Sequence, residues 1–195
     1  MDEVLSSYIL AFDEINALMT TSYKTASNED ISERVAQIAD DLLSFLIKAY
    51  KQGIEAISTM LVYELSVDTD KMYEAIYKVI DGKDFEDRVI DHVLADDLVG
   101  LLILADSEYH RVYETAVEDG AYQYVDVGNF GVEKTWHTLL DGAVRDTHRY
   151  LEGMTVALEE EFYTYDGDHG RFPGDFGNAD NNVNCRCYLT YRATV

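Results

Sequence analysis

Residues 136–187 read WHTLLDGAVRDTHRYLEGMTVALEEEFYTYDGDHGRFPGDFGNADNNVNCRC, and they differ in composition from everything that precedes them. This stretch holds the only tryptophan, the only proline, both cysteines and three of the five histidines of the chain. The preceding residues consist mostly of apolar side chains at helical spacing. We therefore expect the specific chemistry or the specific structural constraint of the molecule to lie in residues 136–187.

The chain of 195 residues is strongly acidic, with a formal net charge of −23. Residues 1–131 carry 27 acidic and 9 basic side chains, whereas residues 132–195 carry 11 and 6. A surface of this charge repels nucleic acid, so non-specific DNA binding by the whole surface is not expected. The acidity fits either a solvated surface or a basic protein partner.

The sequence also limits the compartment. No apolar run approaches the roughly 18 residues needed to span a bilayer, and the acidic N-terminal segment is unlike a secretory signal. Two cysteines in a Cys-x-Cys arrangement close almost no loop, so they cannot staple a secreted fold of this size. We therefore expect a protein without a membrane partner that is made in a reducing cytoplasm.

Residues 2–120 are predicted to be almost entirely helical. Apolar side chains recur at helical spacing over residues 2–20 and again over residues 29–65. The second run would form a helix of roughly 55 Å, and Gly53 is the one place where it could bend. Residues 21–28 are small and polar and are predicted to connect the two helices.

Three more helices are expected before the pattern changes. Asp68 or Thr69 is suited to cap one short helix, and Asp84 opens another. The most apolar window of the chain, VGLLILA at residues 99–105, is predicted to open a buried central helix that ends near Gly120. The last turn of that helix is acidic, which opposes the helix dipole, so fraying is expected there.

After Gly120 the pattern indicates short strands and turns. Strands are predicted at residues 121–127, 132–137, 154–158 and 187–191. Residues 163–184 are predicted to form a long polar loop, which needs to bind something or to be tied down. The predicted fold class is α+β, with a helical bundle or arm over residues 1–120 and a small α+β module over residues 121–195.

Cys185 and Cys187 form the first candidate site. Residues i and i+2 of a strand share a face, so both sulfur atoms could reach one metal ion. His148 and His169 could supply the imidazoles that complete a tetrahedral zinc site. Candidates to replace an imidazole are Asp141, Asp168 and Asp175. A pair of structural thiols without a metal is the alternative.

Two further groups allow a functional and a structural interpretation. Arg145, His148 and Arg149 could contact an anion, or they could support the loop that follows them. Glu108 could act as a catalytic acid. Alternatively, it could pair with Arg111 or reach across to Arg145, in an ion pair that joins the central helix to the C-terminal module. We favour the structural interpretation of both groups, because neither has a second catalytic side chain at a sequence spacing typical of an active site.

A series of short motifs runs in order through the second half of the chain. The motif positions are Glu108, Trp136, Asp141, Arg145, His148, Gly153, Pro173, Asn184, Cys185 and Cys187. The series resembles the Mu F-like minor head proteins of tailed phages, also called the phage head morphogenesis domain. The resemblance covers about residues 80–190, and the order of the motifs carries it, since each motif alone is weak.

The resemblance implies a minor structural protein of the virion that lies in the head interior or portal region. Such a protein aids head assembly, DNA packaging or ejection, and the resemblance implies no catalytic residue. The implied partners are the phage portal or capsid protein, together with self-association through the helices. Some members have Cys-x-x-Cys where this chain has Arg145-x-x-His148, and that pair suits a zinc site completed by the terminal Cys-x-Cys. This chain keeps only His148 of that pair as a possible ligand.

Two alternatives from other functional classes stay open at this point. One is a metal-assisted, RNase-like enzyme that uses His148, Arg145 and Glu108. The other is an acidic adaptor or inhibitor that mimics DNA and binds a basic enzyme.

Overall fold

The computed structural model describes residues 2–25, 30–128 and 130–194, with the backbone alone described for residues 2–12. The helices are α1 (Asp2–Thr25), α2 (Ile31–Leu61), α3 (Thr69–Ile76), α4 (Phe85–Leu94), α5 (Leu98–Gly128), α6 (Asp146–Arg149) and α7 (Ala179–Asn182). The strands are β1 (Gly131–Thr138), β2 (Thr155–Ala157), β3 (Phe162–Tyr163), β4 (His169–Gly170) and β5 (Cys187–Thr194). The predicted α+β class is therefore confirmed. None of the described helices is both long and apolar enough to cross a membrane.

The long helices α2 and α5 pack against each other and form the centre of the helical layer. α2 is a single uninterrupted helix, and it does not break at Gly53, the one position where the sequence left a bend open. A Cβ atom at Gly53 would lie only 2.5 Å from the carbonyl oxygen of Tyr113 and 2.7 Å from the Cβ of Ala116. Gly53 therefore permits the close approach of two helix backbones instead of a bend.

The two short helices begin where the capping residues predicted. The side chain of Asp68 accepts hydrogen bonds from the backbone N–H groups of Asp70 and Lys71 at the start of α3. The side chain of Asp84 accepts from the N–H of Asp87 at the start of α4. Each carboxylate satisfies N–H groups that have no partner within the helix, which confirms both predicted starts.

α1 continues past its predicted end at residue 20 and reaches Thr25. Ser22 and Tyr23 are buried, and their hydroxyl groups donate to carboxylates of α2 and of the α4–α5 turn. These tertiary contacts stabilise helix in a segment whose composition predicted a connector. The end of that predicted connector, residues 26–28, lies outside the described residues.

α5 continues to Gly128, so the helix end predicted at Gly120 and the strand predicted for residues 121–127 are wrong. A Cβ atom at Gly120 would lie 2.4 Å from a methyl carbon of Ile57. This glycine therefore allows α2 and α5 to pack closely and does not end the helix. The predicted boundary at residue 121 falls within α5, and the division of the chain into two units stays a prediction.

The other three predicted strands are confirmed, and they form one antiparallel sheet in the order β2-β1-β5. β1 pairs with β5 over its whole length, from Gly131 opposite Thr194 to Thr138 opposite Cys187. Alternate residues of β1 are buried, so one face of this sheet packs against the rest of the molecule.

The long polar segment of residues 163–184 is tied down, as its length predicted. It contains part of the β3–β4 hairpin and the short helix α7. The carboxylate of Asp168 accepts hydrogen bonds from several groups of this segment. The donors are the backbone N–H groups of His169, Gly177 and Asn178 and the side-chain amide of Asn181. Partial burial would raise the pKa of Asp168, but these hydrogen bonds hold it below its usual value.

We expect Gly53→Ala to lower the free energy of unfolding by about 1–3 kcal/mol, because the added methyl group overpacks the α2–α5 contact. Urea unfolding followed by circular dichroism measures this change. Gly142→Ala is the control, because nothing lies within 4 Å of its added Cβ, and its effect should stay below about 0.5 kcal/mol. A Gly53→Ala protein at least as stable as the wild type would contradict the described packing of the two helices.

Candidate metal centre

Three buried side chains predicted as metal ligands meet in the C-terminal module. The Nδ1 atom of His148 lies 3.4 Å from the Sγ atoms of both Cys185 and Cys187. The three ligand atoms all lie within 4.8 Å of one another. Within the described ranges, no other group of three or more His, Cys, Asp and Glu side chains could hold a metal ion.

The local backbone explains why both cysteines face the same way. Asn184 has a left-handed conformation with φ of +53°, which asparagine adopts more readily than most residues. The chain turns there and enters β5 at Cys187. Arg186 is exposed between two buried cysteines, as expected for residues that alternate between the faces of an extended segment.

Aromatic side chains hold His148 against the cysteines. Its ring stacks on Phe176 at 5.3 Å and meets the edge of Trp136 at 5.5 Å. Trp136 is fully buried and also contacts Phe162 at 5.1 Å. Gly153 has φ of +75°, and its N–H donates to the Trp136 carbonyl, so the turn after α6 is bonded to β1. These contacts fix the position of the imidazole.

Arg145 and its neighbours contribute structural contacts around the centre. The Arg145 guanidinium donates to the backbone carbonyl of Val183, which ties the start of α6 to the segment before the cysteines. Asp141 forms an ion pair with Arg186 at 2.6 Å. Arg149 donates to the backbone carbonyl of Asp141. The described contacts of Arg145 and Arg149 therefore agree with the structural interpretation of these two residues.

The structure does not bring His169 to the cysteines. Its Nδ1 atom lies 2.9 Å from a carboxylate oxygen of Glu161, and its ring stacks on Tyr163. The carboxylates that could replace an imidazole also have other partners. Asp141 forms an ion pair with Arg186, and Asp175 forms ion pairs with Arg171 and Lys78. Asp168 accepts hydrogen bonds within the long loop. The part of the chain that the structure describes therefore brings three protein ligands together, not four.

The geometry of the three ligands fits zinc. In a tetrahedral site with ordinary zinc–ligand distances, a sulfur and a nitrogen ligand lie about 3.5 Å apart. The observed separations of 3.4 Å agree with this value, and Cys₂His is a donor set that zinc prefers. The same distance also fits a hydrogen bond between a thiol and an imidazole.

The two thiols have opposite pKa shifts. Burial would raise the pKa of Cys185, but hydrogen bonds with Cys187 and His148 and the charges of His110 and His148 hold it well below its usual value. The hydrogen bond to Cys185, together with burial, raises the pKa of Cys187. The pKa of Cys185 is thus lowered whereas that of Cys187 is raised, and a lowered pKa favours the thiolate, which is the form that binds a metal ion.

A line of buried polar residues on α5 lies under the module. We call Asp106, His110, Glu114 and Glu118 the α5 polar stripe, because they recur every four residues and are all buried. His110 Nε2 donates to the carbonyl oxygen of Cys187 at 3.0 Å and lies 3.7 Å from Glu114. Burial would lower the pKa of His110, but the hydrogen bond with Glu114 and the charges of Cys185, Glu114 and Asp106 outweigh that effect and raise it to about 9. The hydrogen bond from His110 joins α5 to the first residue of β5.

Glu118 bonds the other end of the stripe to the module. Its carboxylate lies 3.2 Å from Lys134 Nζ on β1 and 3.1 Å from the Arg171 guanidinium in the long loop. Lys134 is fully buried, and burial lowers its pKa although Glu118 opposes the shift. The prediction that the acidic residues before Gly120 fray is therefore wrong, because α5 continues to Gly128 and Glu118 pairs with Lys134 and Arg171.

Glu108 lies on another side of α5 and bonds the helices to one another. Its carboxylate pairs with Arg111 at 2.7 Å and with Arg88 of α4 at 2.8 Å, and Arg111 donates to the carbonyl of Ala75 in α3. Burial would raise the pKa of Glu108, but the two guanidinium groups hold it below its usual value. The predicted pairing with Arg111 is confirmed, whereas the predicted link to the C-terminal module is wrong. A buried carboxylate with a lowered pKa is poorly suited to act as a general acid, because it does not carry the proton that a general acid donates.

Pro173 and Gly174 place the long loop on α5. Gly174 has φ of +97°, and a Cβ atom there would lie 3.3 Å from the Cα of Arg111. Phe172, which precedes the proline, is buried. The Pro-Gly motif therefore serves close packing of the loop on the helix that also carries Glu108.

The stripe was not identified from the sequence, and Asp168 was identified only as a candidate metal ligand, not as the residue that anchors the long loop. Polar residues at intervals of four within an otherwise apolar helix are a signal that could have identified the stripe. Asp168 gives no comparable signal, because its donors come from residues 169–181 of an irregular segment.

Comparisons with known proteins agree with the motif order. A family model described as Phage Mu protein F like protein matches residues 69–190. NAD(+)--arginine ADP-ribosyltransferase EFV of Enterococcus faecalis is 25% identical over 167 residues, which cover 85% of this chain and 34% of that protein. Minor head protein GP7 of Bacillus phage SPP1 is 34% identical over 89 residues, which cover 46% of this chain and 28% of that protein. The chain thus spans about a third of the length of these relatives. No solved structure matches it.

Proposed function

The chain belongs to the Phage Mu protein F like family, and on that basis we propose that it is a minor structural protein of a tailed-phage head. The family match over residues 69–190 is the observation that carries this proposal. It runs from the start of α3 into β5, so it includes α5 and all three residues of the metal centre. The likeness to minor head protein GP7 of Bacillus phage SPP1 supports it.

The finer proposal is that the protein docks to the portal or to the inner face of the capsid and aids head assembly, DNA packaging or ejection. The net charge of −23 supports a place beside packaged DNA, because an acidic surface does not become entangled with the phosphate backbone. The helices would make the partner contacts, and the contacts around the metal centre would stabilise the module.

The Enterococcus relative gives a second, enzymatic candidate, since it is named as an ADP-ribosyltransferase. The chain covers only 34% of that protein. The residues that suggested an enzyme are engaged in structural contacts, because Glu108 binds two arginines, His148 faces the cysteines and Arg145 binds a backbone carbonyl. These contacts favour the structural proposal. Transfer of ADP-ribose from NAD⁺ to agmatine by the purified chain would favour the enzyme instead.

Purified virions test the head-protein proposal. We expect mass spectrometry to detect the chain in gradient-purified particles of its phage, and we expect an amber mutation in its gene to lower the yield of infectious particles. Plasmid-borne wild-type protein should restore the yield, and so should His169→Ala, because His169 is half-exposed and lies outside the metal centre. A chain that is abundant in infected cells but absent from virions, with normal particle yield from the mutant, would overturn the proposal.

We also propose that His148, Cys185 and Cys187 hold a zinc ion. The buried Cys₂His set and the 3.4 Å separations support this assignment. A bound zinc ion would be a structural cross-link between α6 and the segment that leads into β5. The three side chains would provide the ligands, and the aromatic contacts of His148 would keep its ring in place.

We expect about one zinc per chain by elemental analysis of protein purified with zinc and a reductant. Cobalt substitution should give a thiolate-to-cobalt charge-transfer band in the near ultraviolet. His148→Ala and Cys187→Ser should lose both signals, whereas His169→Ala should keep both. Wild-type protein that is folded but retains no stoichiometric metal would show that the three side chains form only a hydrogen-bonded cluster.

A further inference from the structure

The C-terminal ends of the two long helices lie side by side. Gly53 of α2 packs on Tyr113 and Ala116 of α5, and Ile57 packs on Gly120 further along both helices. The two helices therefore run in the same direction, and their C-termini face the same end of the molecule. Each helix C-terminus carries a partial negative charge, and neither helix has a basic residue in its last turn.

A groove opens between these two helix ends. The loop after α2 is held on α5 because Ser66 and Gln123 exchange hydrogen bonds, in which the Ser66 N–H donates to the Gln123 amide oxygen at 2.9 Å. Clefts of about 430 Å³ and 220 Å³ lie here and share Ser66, Gln123 and Val127 in their walls. We call these two clefts together the helix-end groove.

Apolar side chains lie exposed along this groove. Val127 lines both clefts and is 59% exposed, and Tyr63 is exposed in the wall of the larger one. Tyr124 links Tyr63 to the exposed ring of Phe130, with centroid distances of 5.5 Å and 5.3 Å. Exposed apolar side chains gathered in one place often mark an interaction site.

The charge around the groove is almost entirely negative. Four carboxylates line the two clefts, namely Glu64, Asp68, Asp119 and Asp126. Lys71 is the only basic side chain among the lining residues, and it is paired with Asp119. Asp68 caps α3 and Asp119 is paired, so Glu64 and Asp126, together with the two helix dipoles, make this concave site attractive to cations.

We propose that the helix-end groove binds a lysine- or arginine-bearing segment of a partner protein. The apolar side chains of that segment would pack on Tyr63 and Val127, and its cations would face Glu64 and Asp126.

A second copy of this chain is disfavoured as the occupant, because it carries a net charge of −23 and would bring like charges together. Nucleic acid is repelled for the same reason. The proposal stands independently of the metal centre and of the head-protein assignment.

The chemistry of the occupant can be tested with the full-length chain and an mRNA-displayed library of random 12-residue peptides. We expect the enriched peptides to carry several lysines or arginines together with an aliphatic or aromatic residue. Their affinity, measured by fluorescence anisotropy, should weaken as salt is added, because the charged contacts are exposed. Failure to enrich any peptide, or enrichment of acidic or uncharged ones, would overturn the proposal.

Two variants assign the binding to the groove without disturbing the fold. Asp126→Lys should weaken peptide binding at least tenfold, yet it should not lower the melting temperature, because a cation suits the last turn of α5. Val127→Ala should weaken binding severalfold, with unchanged or higher thermal stability, since alanine has the better helix propensity.

Matched controls lie away from the groove. Asp40→Lys makes the same charge change at an exposed position in the third turn of α2, and Leu94→Ala removes an exposed apolar side chain from the end of α4. Both should bind the peptide within twofold of wild type.

Equal binding by wild type and Asp126→Lys would overturn the assignment of the peptide to the helix-end groove. Self-association of the wild type in sedimentation equilibrium would also overturn it if Asp126→Lys abolished that self-association, because the occupant of the groove would then be a second copy of the chain.

Discussion

The α5 polar stripe is the feature on which the arrangement of the remaining elements depends. Buried charges are tolerated only where they are paired, and removal of one partner from a buried ion pair typically costs about 3–5 kcal/mol. The partners of Glu118 come from β1 and from the long loop, and the partner of His110 is the backbone at the start of β5. Lys134 is fully buried, so it can be satisfied only while β1 lies on α5. The stripe therefore fixes where the small sheet sits.

The positions of the metal ligands follow from the position of the sheet on α5. With β1 and β5 fixed on α5, the two cysteines lie at the entry to β5 and Trp136 lies in the adjacent strand. Trp136 and Phe176 then hold the imidazole of His148 within 3.4 Å of both sulfur atoms. The centre is thus built from a side chain of α6 and two at the entry to β5, and all three are buried. Buried ligands fit the proposed structural role, and the proposed partner site lies elsewhere, at the ends of α2 and α5.

Much of the fold could be predicted from local patterns. Apolar spacing identified α2, Asp68 and Asp84 marked the starts of two helices, and the Cys-x-Cys alternation placed both sulfur atoms on one face. The failures have a common physical cause, which is the effect of residues distant in sequence. Gly120 suggested a helix end because its contact with Ile57 is invisible in a local window. Glu118 suggested fraying because its partner Lys134 lies on another element.

Urea-dependent native-state hydrogen exchange tests most directly whether the stripe joins the helical layer and the module into one unit. We predict that the most protected amides of β1 and β5 open with the same free energy and the same urea dependence as those of α2 and α5. Exchange of β1 and β5 through a separate opening, with a lower free energy and a smaller urea slope while α2 and α5 stay protected, would contradict this account.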